Sequence, residues 1–143
     1  MGAKTWAYVS NYFVYSSMIV YTLAFFSHAY ETAWSLRNPD SARSSDGNLL
    51  KKTLDFTKTE RIARIATAMM ILGTLLLCGG VVARGISAHR VPWSNMYEFS
   101  ITGALAFATA YLFTLRKYDL RWLGLPISIF VLLVLGTAIT VLY

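Results

Sequence analysis

The sequence is poor in the residues that most often bind metals or form cross-links. Its 143 residues include one cysteine, Cys78, and two histidines, His28 and His89. A single cysteine excludes an intrachain disulfide and a CxxC motif, and its place deep in an apolar run predicts a small packed side chain. The sequence also has no HExxH motif, phosphate-binding glycine loop or nucleophile elbow. These absences exclude the common signatures of zinc proteases, nucleotide-binding proteins and serine hydrolases.

Acidic residues are also scarce, with seven Asp and Glu against 13 Lys and Arg. Only Glu31, Glu98 and Asp119 lie outside the polar segment 35–64, and none of the three falls at the centre of an apolar run. Secondary transporters and proton pumps usually carry a charge near the bilayer midplane. The sequence therefore disfavours transport by this chain alone, and it contains no buried pair of carboxylates that would predict a catalytic site.

Apolar and aromatic residues are abundant. They make up 56% and 15% of the chain, and the mean hydropathy is +0.50. A water-soluble domain of this length rarely carries so much apolar surface. The runs long enough to cross a hydrocarbon core of about 30 Å cover about residues 12–34, 65–83, 99–115 and 122–143. The first is too long for a signal peptide and lacks a cleavage site. The sequence thus predicts an all-α, polytopic membrane protein with four transmembrane helices in a single domain, residues 1–143.

The basic residues are unevenly shared among the connectors. Ten of the 13 lie in segments 35–64 and 116–121, and the other three are Lys4, Arg84 and Arg90. Basic connectors stay on the cytoplasmic side during insertion, so we expect 35–64 inside and the N-terminus, 84–98 and the C-terminal end outside. This distribution also accounts for the net charge of +6 without a nucleic-acid partner, and it leaves the lipid bilayer as the surrounding medium.

The predicted cytoplasmic segment changes character along its length. Leucines and Phe56 alternate with lysines over residues 49–58, which is typical of a short helix at the membrane interface. The run Thr57-Lys58-Thr59-Glu60 then fits a capping box. The pattern therefore predicts a break, with the second membrane helix starting anew after Thr57.

The two histidines fall at opposite ends of the predicted bundle. His28 lies near the cytoplasmic end of the first span, and Glu31 follows on the same helical face, which predicts a polar pair facing a neighbouring helix. His89 lies in the outward connector. At 1.5 Å rise per residue the two imidazoles are too far apart to share one haem iron.

Residues 89–99, HRVPWSNMYEF, form the chemically most specific connector. Pro92 restricts the backbone just before the third span, and Ser94 and Asn95 are candidate N-caps for that helix. Glu98 falls in its first turn, where the helix dipole favours a negative charge, and we expect it close to Arg90. Local chemistry alone predicts a rigid, well-capped turn.

The longer run RGISAHRVPWSNMYEF, residues 84–99, resembles a signature of the haem-handling membrane component of System II cytochrome c biogenesis, the ResC/CcsA type, also called CcsB. In that family an arginine–glycine pair ends one span, and a short outward connector of the form x-x-P-x-(S/G)-N-x-Y-E opens the next. The matching residues here are Arg84, Gly85, Pro92, Ser94, Asn95, Tyr97 and Glu98. The run NYFVYSSMIVYTLAF near the N-terminus is similar to the family's first span.

The resemblance implies a multi-pass protein of the bacterial plasma membrane. Such a protein delivers haem to the outer face and, with a ResB-type partner, supports its attachment to the CXXCH thiols of apocytochrome c, as part of a haem lyase (synthase) system. The family's tryptophan-rich haem-binding segment and external histidines are absent here. The chain is therefore expected to be the N-terminal half of a longer protein and part of a larger helical bundle, with haem ligands and catalytic segment elsewhere.

Two roles remain open for the connector. Many family members place a histidine where this chain has Arg90, so no role carries over to His89. Arg90 is instead a candidate for bidentate contact with a haem propionate. In the competing hypothesis, Arg90, Asn95, Tyr97 and Glu98 form a structural brace under the external site. A different class of function also stays open, a small non-catalytic helical subunit or scaffold of a respiratory-chain complex.

Overall fold

The computed structural model describes residues 2–37, 49–118 and 123–142, apart from the side chains of residues 35, 49–57 and 59. All secondary structure in these ranges is helical: α1 (Ala3–Arg37), α2 (Leu49–Ala88), α3 (Met96–Lys117) and α4 (Gly124–Thr137), which continues as a wider π-helical segment, Ala138–Leu142. The parts long and apolar enough to cross a membrane are Ala3–Trp34, Glu60–Ala88, Met96–Lys117 and Gly124–Leu142. The predicted all-α, polytopic membrane fold is confirmed.

The predicted break after Thr57 is wrong, because α2 is one continuous helix from Leu49 to Ala88. Between Gly47 and Gly73 the sequence has neither glycine nor proline. Leucine, lysine, glutamate, arginine and alanine dominate this stretch, and all five favour the helix. A threonine can cap a helix only where the preceding backbone leaves it, so this capping box is overridden by its helix-forming surroundings.

Helix α1 packs antiparallel along α2 over most of its length. Hydrogen bonds join the two helices at three levels: Ser87 Oγ to the Ala3 carbonyl (2.9 Å), Ser10 Oγ to the Gly80 carbonyl (2.7 Å), and Tyr21 Oη with Thr74 Oγ1 (2.9 Å). The backbones approach closely at Gly80, where an added β-carbon would lie 3.0 Å from Val14 Cγ2. Small residues permit such packing in membrane helices, where lipid supplies no hydrophobic driving force.

The core lies where all four helices meet. It includes the fully buried side chains Val14, Tyr21, Met70, Leu77, Ile101, Val131 and Leu135. Cys78 is not among them: the predicted packed side chain is wrong, because this residue is exposed on the surface of α2.

The alternating helix directions give the bundle two chemically different ends. The end where α1 begins, α2 ends and α3 begins carries the 89–95 connector, and we call it the connector end. The opposite end carries the basic residues Arg37, Lys58, Arg61, Arg64, Arg116 and Lys117, and we call it the basic end. The charge asymmetry read along the sequence is therefore an asymmetry between the two ends of the bundle.

Candidate functional site at the connector end

Seven residues, 89–95, reverse the chain between α2 and α3. His89 has a φ of 51°, in the left-handed region that few residues other than glycine adopt. Its N–H still donates to the Ile86 carbonyl at 3.2 Å, and its left-handed backbone follows the last residue of α2, Ala88. Asn95 is extended (φ −123°, ψ 148°) and its carbonyl accepts the first hydrogen bond of α3, from the N–H of Phe99 at 2.8 Å.

One of the two candidate N-caps, Asn95, holds the cap position, but the predicted side-chain hydrogen bond is not formed. Asn95 occupies the cap, yet its side chain makes no capping hydrogen bond, and both Asn95 and Ser94 are exposed. The polar groups of these two side chains are therefore presented outward rather than used to stabilise α3.

The buried charge of the connector end pairs with a different arginine from the one predicted. Glu98 is almost fully buried in the first turn of α3, and its Oε1 lies 3.5 Å from Nε of Arg84 in the last turns of α2. Arg90, the predicted partner, is exposed on the connector and belongs to none of the described ion pairs. Helix packing explains the difference. The first turn of α3 contacts the end of α2, where Arg84 lies, whereas Arg90 lies on the exposed connector.

Arg84 also contacts an aromatic ring. Its guanidinium carbon lies 5.3 Å from the centroid of Tyr97, a side chain only 2% exposed. A guanidinium shared between a carboxylate and a ring face suits a partly dry site, because both partners replace water around the charge. We call Arg84, Tyr97 and Glu98 the brace. One oxygen of Glu98, Oε2, is buried with no hydrogen-bond partner among the described residues.

Pro92 and Gly85 fold the connector onto the end of α2. A β-carbon added at Gly85 would lie 3.6 Å from both the Arg90 carbonyl oxygen and Pro92 Cδ, which is ordinary van der Waals contact. The space here therefore does not require glycine. The Pro92 carbonyl accepts a long hydrogen bond, 3.4 Å, from Thr102 Oγ1, so the connector is tied to both helices.

Four polar or aromatic side chains of the connector, two of them from the motif, point away from the protein. Arg90, Trp93, Ser94 and Asn95 are all exposed, Trp93 to 65%, and we call these four residues the rim. Of the four residues predicted to form the structural support, Tyr97 and Glu98 are buried, whereas Arg90 and Asn95 lie in the rim. Sequence reasoning missed Arg84 as the partner of Glu98. The sequence feature that could have predicted this pair is the placement of opposite charges in the last turns of one helix and the first turn of the next.

The described histidines do not fit as joint ligands of a haem iron. Ser87 contacts Ala3 at the connector end, and the helix from Ala3 to His28 is roughly 37 Å long at 1.5 Å per residue. His89 therefore lies far from His28. Among the described residues, no three His, Cys, Asp or Glu side chains are grouped as metal ligands. The connector also exposes the guanidinium of Arg90, a group suited to a carboxylate rather than to a metal ion.

His28 faces a neighbouring helix, as its sequence position predicts. It is 3% exposed and packs against the first turn of α4, where a β-carbon on Gly124 would lie 2.5 Å from Cε1 of the imidazole. Its Nδ1 lies 3.7 Å from Oε2 of Glu31, close enough for attraction but too long for a hydrogen bond. His28 therefore positions α4 against α1.

No model of a protein family, no curated protein and no solved structure matches this chain. The likeness over residues 84–99 therefore depends on the motif residues alone.

Proposed function

We propose that this chain is the N-terminal helical part of a System II cytochrome c biogenesis component in a bacterial plasma membrane. Together with a ResB-type partner it would hold haem at the outer face for attachment to apocytochrome c. The observation that supports the proposal is the partnership among motif residues: Arg84 and Glu98 are 14 positions apart in sequence, yet they pair, and Tyr97 covers the same guanidinium. A merely well-capped turn needs none of these contacts.

The brace and the rim form two layers of the connector end, and we assign a different role to each. The brace holds the ends of α2 and α3 together and so determines where the connector sits. The rim presents a guanidinium, an indole, a hydroxyl and an amide to the outside. A guanidinium is the side chain best suited to bidentate contact with a carboxylate, and an indole face stacks on flat apolar rings. Arg90 and Trp93 thus suit the propionate edge and the plane of a porphyrin, whose iron ligands are supplied from outside these residues.

The proposal is tested by separating accumulation from haem attachment. In cells that make the complete protein with its ResB-type partner, we would measure membrane abundance and partner co-purification, and cytochrome c by haem staining. We expect Arg90→Gln and Asn95→Ala to accumulate normally but to lower haem attachment about tenfold or more, the effect of losing a hydrogen bond to a charged group. Glu98→Gln should lower abundance and haem attachment together, because it weakens the brace.

The alternative, a small non-catalytic subunit or scaffold of a respiratory-chain complex, predicts the opposite result for the rim. Rim variants that accumulate normally and still mature cytochrome c fully would contradict the haem role of the connector. If those same variants were lost from a respiratory complex during purification, the scaffold function would replace the one proposed.

A further inference from the structure

A cleft of about 850 Å³ opens between α2 and α3 at the basic end, far from the connector. Its volume lies within the range of roughly 300–1,000 Å³ that is common for small-molecule sites. The apolar part of its lining consists of Ala68, Ile71, Leu75, Leu112, Phe113 and Leu115. Several of these side chains are open to the surroundings, Leu75 to 64% and Phe113 to 67%. The cleft is therefore a groove on the surface of the bundle rather than an enclosed cavity.

Cations gather at the mouth of this groove. Arg64, Arg116 and Lys117 line it, and none of its described lining residues is acidic. Arg64 is partly neutralised, because its Nη2 lies 3.1 Å from Oε1 of Glu60. Lys117 stands 5.8 Å from the ring centroid of Tyr118, a contact that leaves its ammonium protons available. Arg116 and Lys117 therefore supply most of the unbalanced positive charge.

The depth of the groove offers no free hydroxyl proton to a ligand. Its two hydroxyls, of Thr67 and Thr109, donate to the carbonyls of Ala63 and Leu105 at 3.0 and 2.7 Å within their own helices. A polar molecule would lose most of its hydrogen bonds to water there and gain few in return, because the lining is otherwise apolar. An occupant must therefore combine an anionic group at the mouth with an apolar tail in the groove.

From this charge complementarity we propose that the groove binds one anionic phospholipid. Its phosphate lies between Arg116 and Lys117, and one acyl chain follows Ile71 and Phe113 toward the membrane centre. Basic pockets between transmembrane helices are suited to anionic headgroups, because each basic residue near the membrane surface attracts them and the tail remains in hydrocarbon. The site is independent of the haem function proposed above, since it lies at the opposite end of the bundle.

Native mass spectrometry of this chain, released from detergent with equal amounts of phosphatidylglycerol and phosphatidylcholine, tests the proposal. We expect one phosphatidylglycerol to be retained in preference to phosphatidylcholine. The double change Arg116→Gln with Lys117→Gln should lower that retention about tenfold to thirtyfold, from the usual contribution of two basic residues near a membrane surface. The matched control, Lys58→Gln with Arg61→Gln, removes the same charge from exposed positions at the same end but outside the groove, and it should retain lipid normally.

A second variant tests the tail separately from the charges. Ala68→Phe fills the groove from an exposed position on α2 and should abolish retention with all the cations in place. Equal retention of both lipids, or equal loss in the matched control, would overturn the proposal. Binding of soluble glycerol 3-phosphate as tight as that of the lipid would show that no acyl site exists. Displacement of the lipid by one equivalent of haem would assign the groove to haem instead.

Discussion

Arg84 and Glu98 bring two opposite charges to a place with little water. Breaking such a pair costs more than breaking an exposed one, because the remaining charge loses its partner but stays buried. Exposed pairs such as Arg64 with Glu60 are worth only about 0–1 kcal/mol and are the weaker test of structure. At the residue scale, the brace is therefore where a single substitution reports most about the connector end.

A double-mutant cycle isolates the interaction between Arg84 and Glu98. We expect Glu98→Gln to lower the free energy of unfolding by about 2 kcal/mol, since Arg84 keeps some access to water, and the double variant with Arg84→Gln to show a coupling above about 1 kcal/mol. Unfolding by titration with sodium dodecyl sulfate in mixed micelles measures each value. Arg90→Gln is the matched control, and it should change stability by less than about 0.5 kcal/mol because its side chain is exposed. Coupling of Glu98 to Arg90 instead would restore the pairing expected from the sequence.

Gly124 provides a second residue-scale test, at the contact between α1 and α4. A methyl group there would lie 2.5 Å from the buried imidazole of His28, so Gly124→Ala should destabilise the protein by about 1–3 kcal/mol through overpacking. His28→Ala in the same chain should remove most of that cost. Gly136→Ala is the control in the same apolar run, because nothing lies within 4 Å of its added β-carbon. Equal effects at the two glycines, measured as thermal unfolding midpoints in detergent, would show that His28 does not hold α4 in place.

Much of the connector end was within reach of the sequence, and the missing part was long-range. The N-cap of α3 and the place of Glu98 in its first turn depend on neighbours in the chain: Asn95, one of the two candidate caps, occupies the cap position, and Glu98 lies in the first turn as predicted. The partner of Glu98 could not be chosen from sequence distance, because Arg84 and Arg90 both lie within 14 residues of it. It depends on which face of α3 packs against α2, which no pattern within the connector specifies.

At the scale of elements, α2 shows how local signals compete. Its first 11 residues, 49–59, precede the part apolar enough to span a membrane, yet the helix is unbroken through them. Apolar runs define where a span can lie, whereas helix propensity and the lack of glycine or proline define where the helix begins. For the same reason α1 starts at Ala3 rather than near residue 12, and the first three predicted spans are shorter than α1, α2 and α3, whereas the fourth, 122–143, is slightly longer than the helical segment Gly124–Leu142.

Two substitutions at Thr57 distinguish a helix interior from a helix start. In a continuous helix, Thr57→Ala should be neutral or slightly stabilising and Thr57→Gly should be about 1 kcal/mol less stable than the alanine variant. At an N-cap the order reverses, because glycine is tolerated there and alanine costs about 1 kcal/mol. The free energies of unfolding of both variants, with amide hydrogen exchange at residues 58–60, decide between the two. A glycine variant more stable than the alanine variant would contradict the unbroken α2.

At the scale of the whole molecule, the fold separates two kinds of surface. The basic end carries the lipid groove, and the connector end carries the brace and the rim. The bundle between them is held by small residues and hydroxyl groups, including Ser10, Tyr21, Thr74 and Gly80. Such contacts give close packing without a charge in the membrane interior.

The orientation of the bundle in the membrane is the last prediction, and it follows from the asymmetry between the two ends. Because basic segments are retained in the cytoplasm, we expect the basic end inside and the connector end outside. In a Cys78→Ser background, a membrane-impermeant maleimide should label Ser94→Cys in intact cells, since Ser94 is exposed in the rim. Ser45→Cys, in the basic segment between α1 and α2, should react only after the cells are permeabilised. Labelling of Ser45→Cys from outside intact cells would reverse the topology, place the rim in the cytoplasm, and remove the basis for an external haem site at the connector.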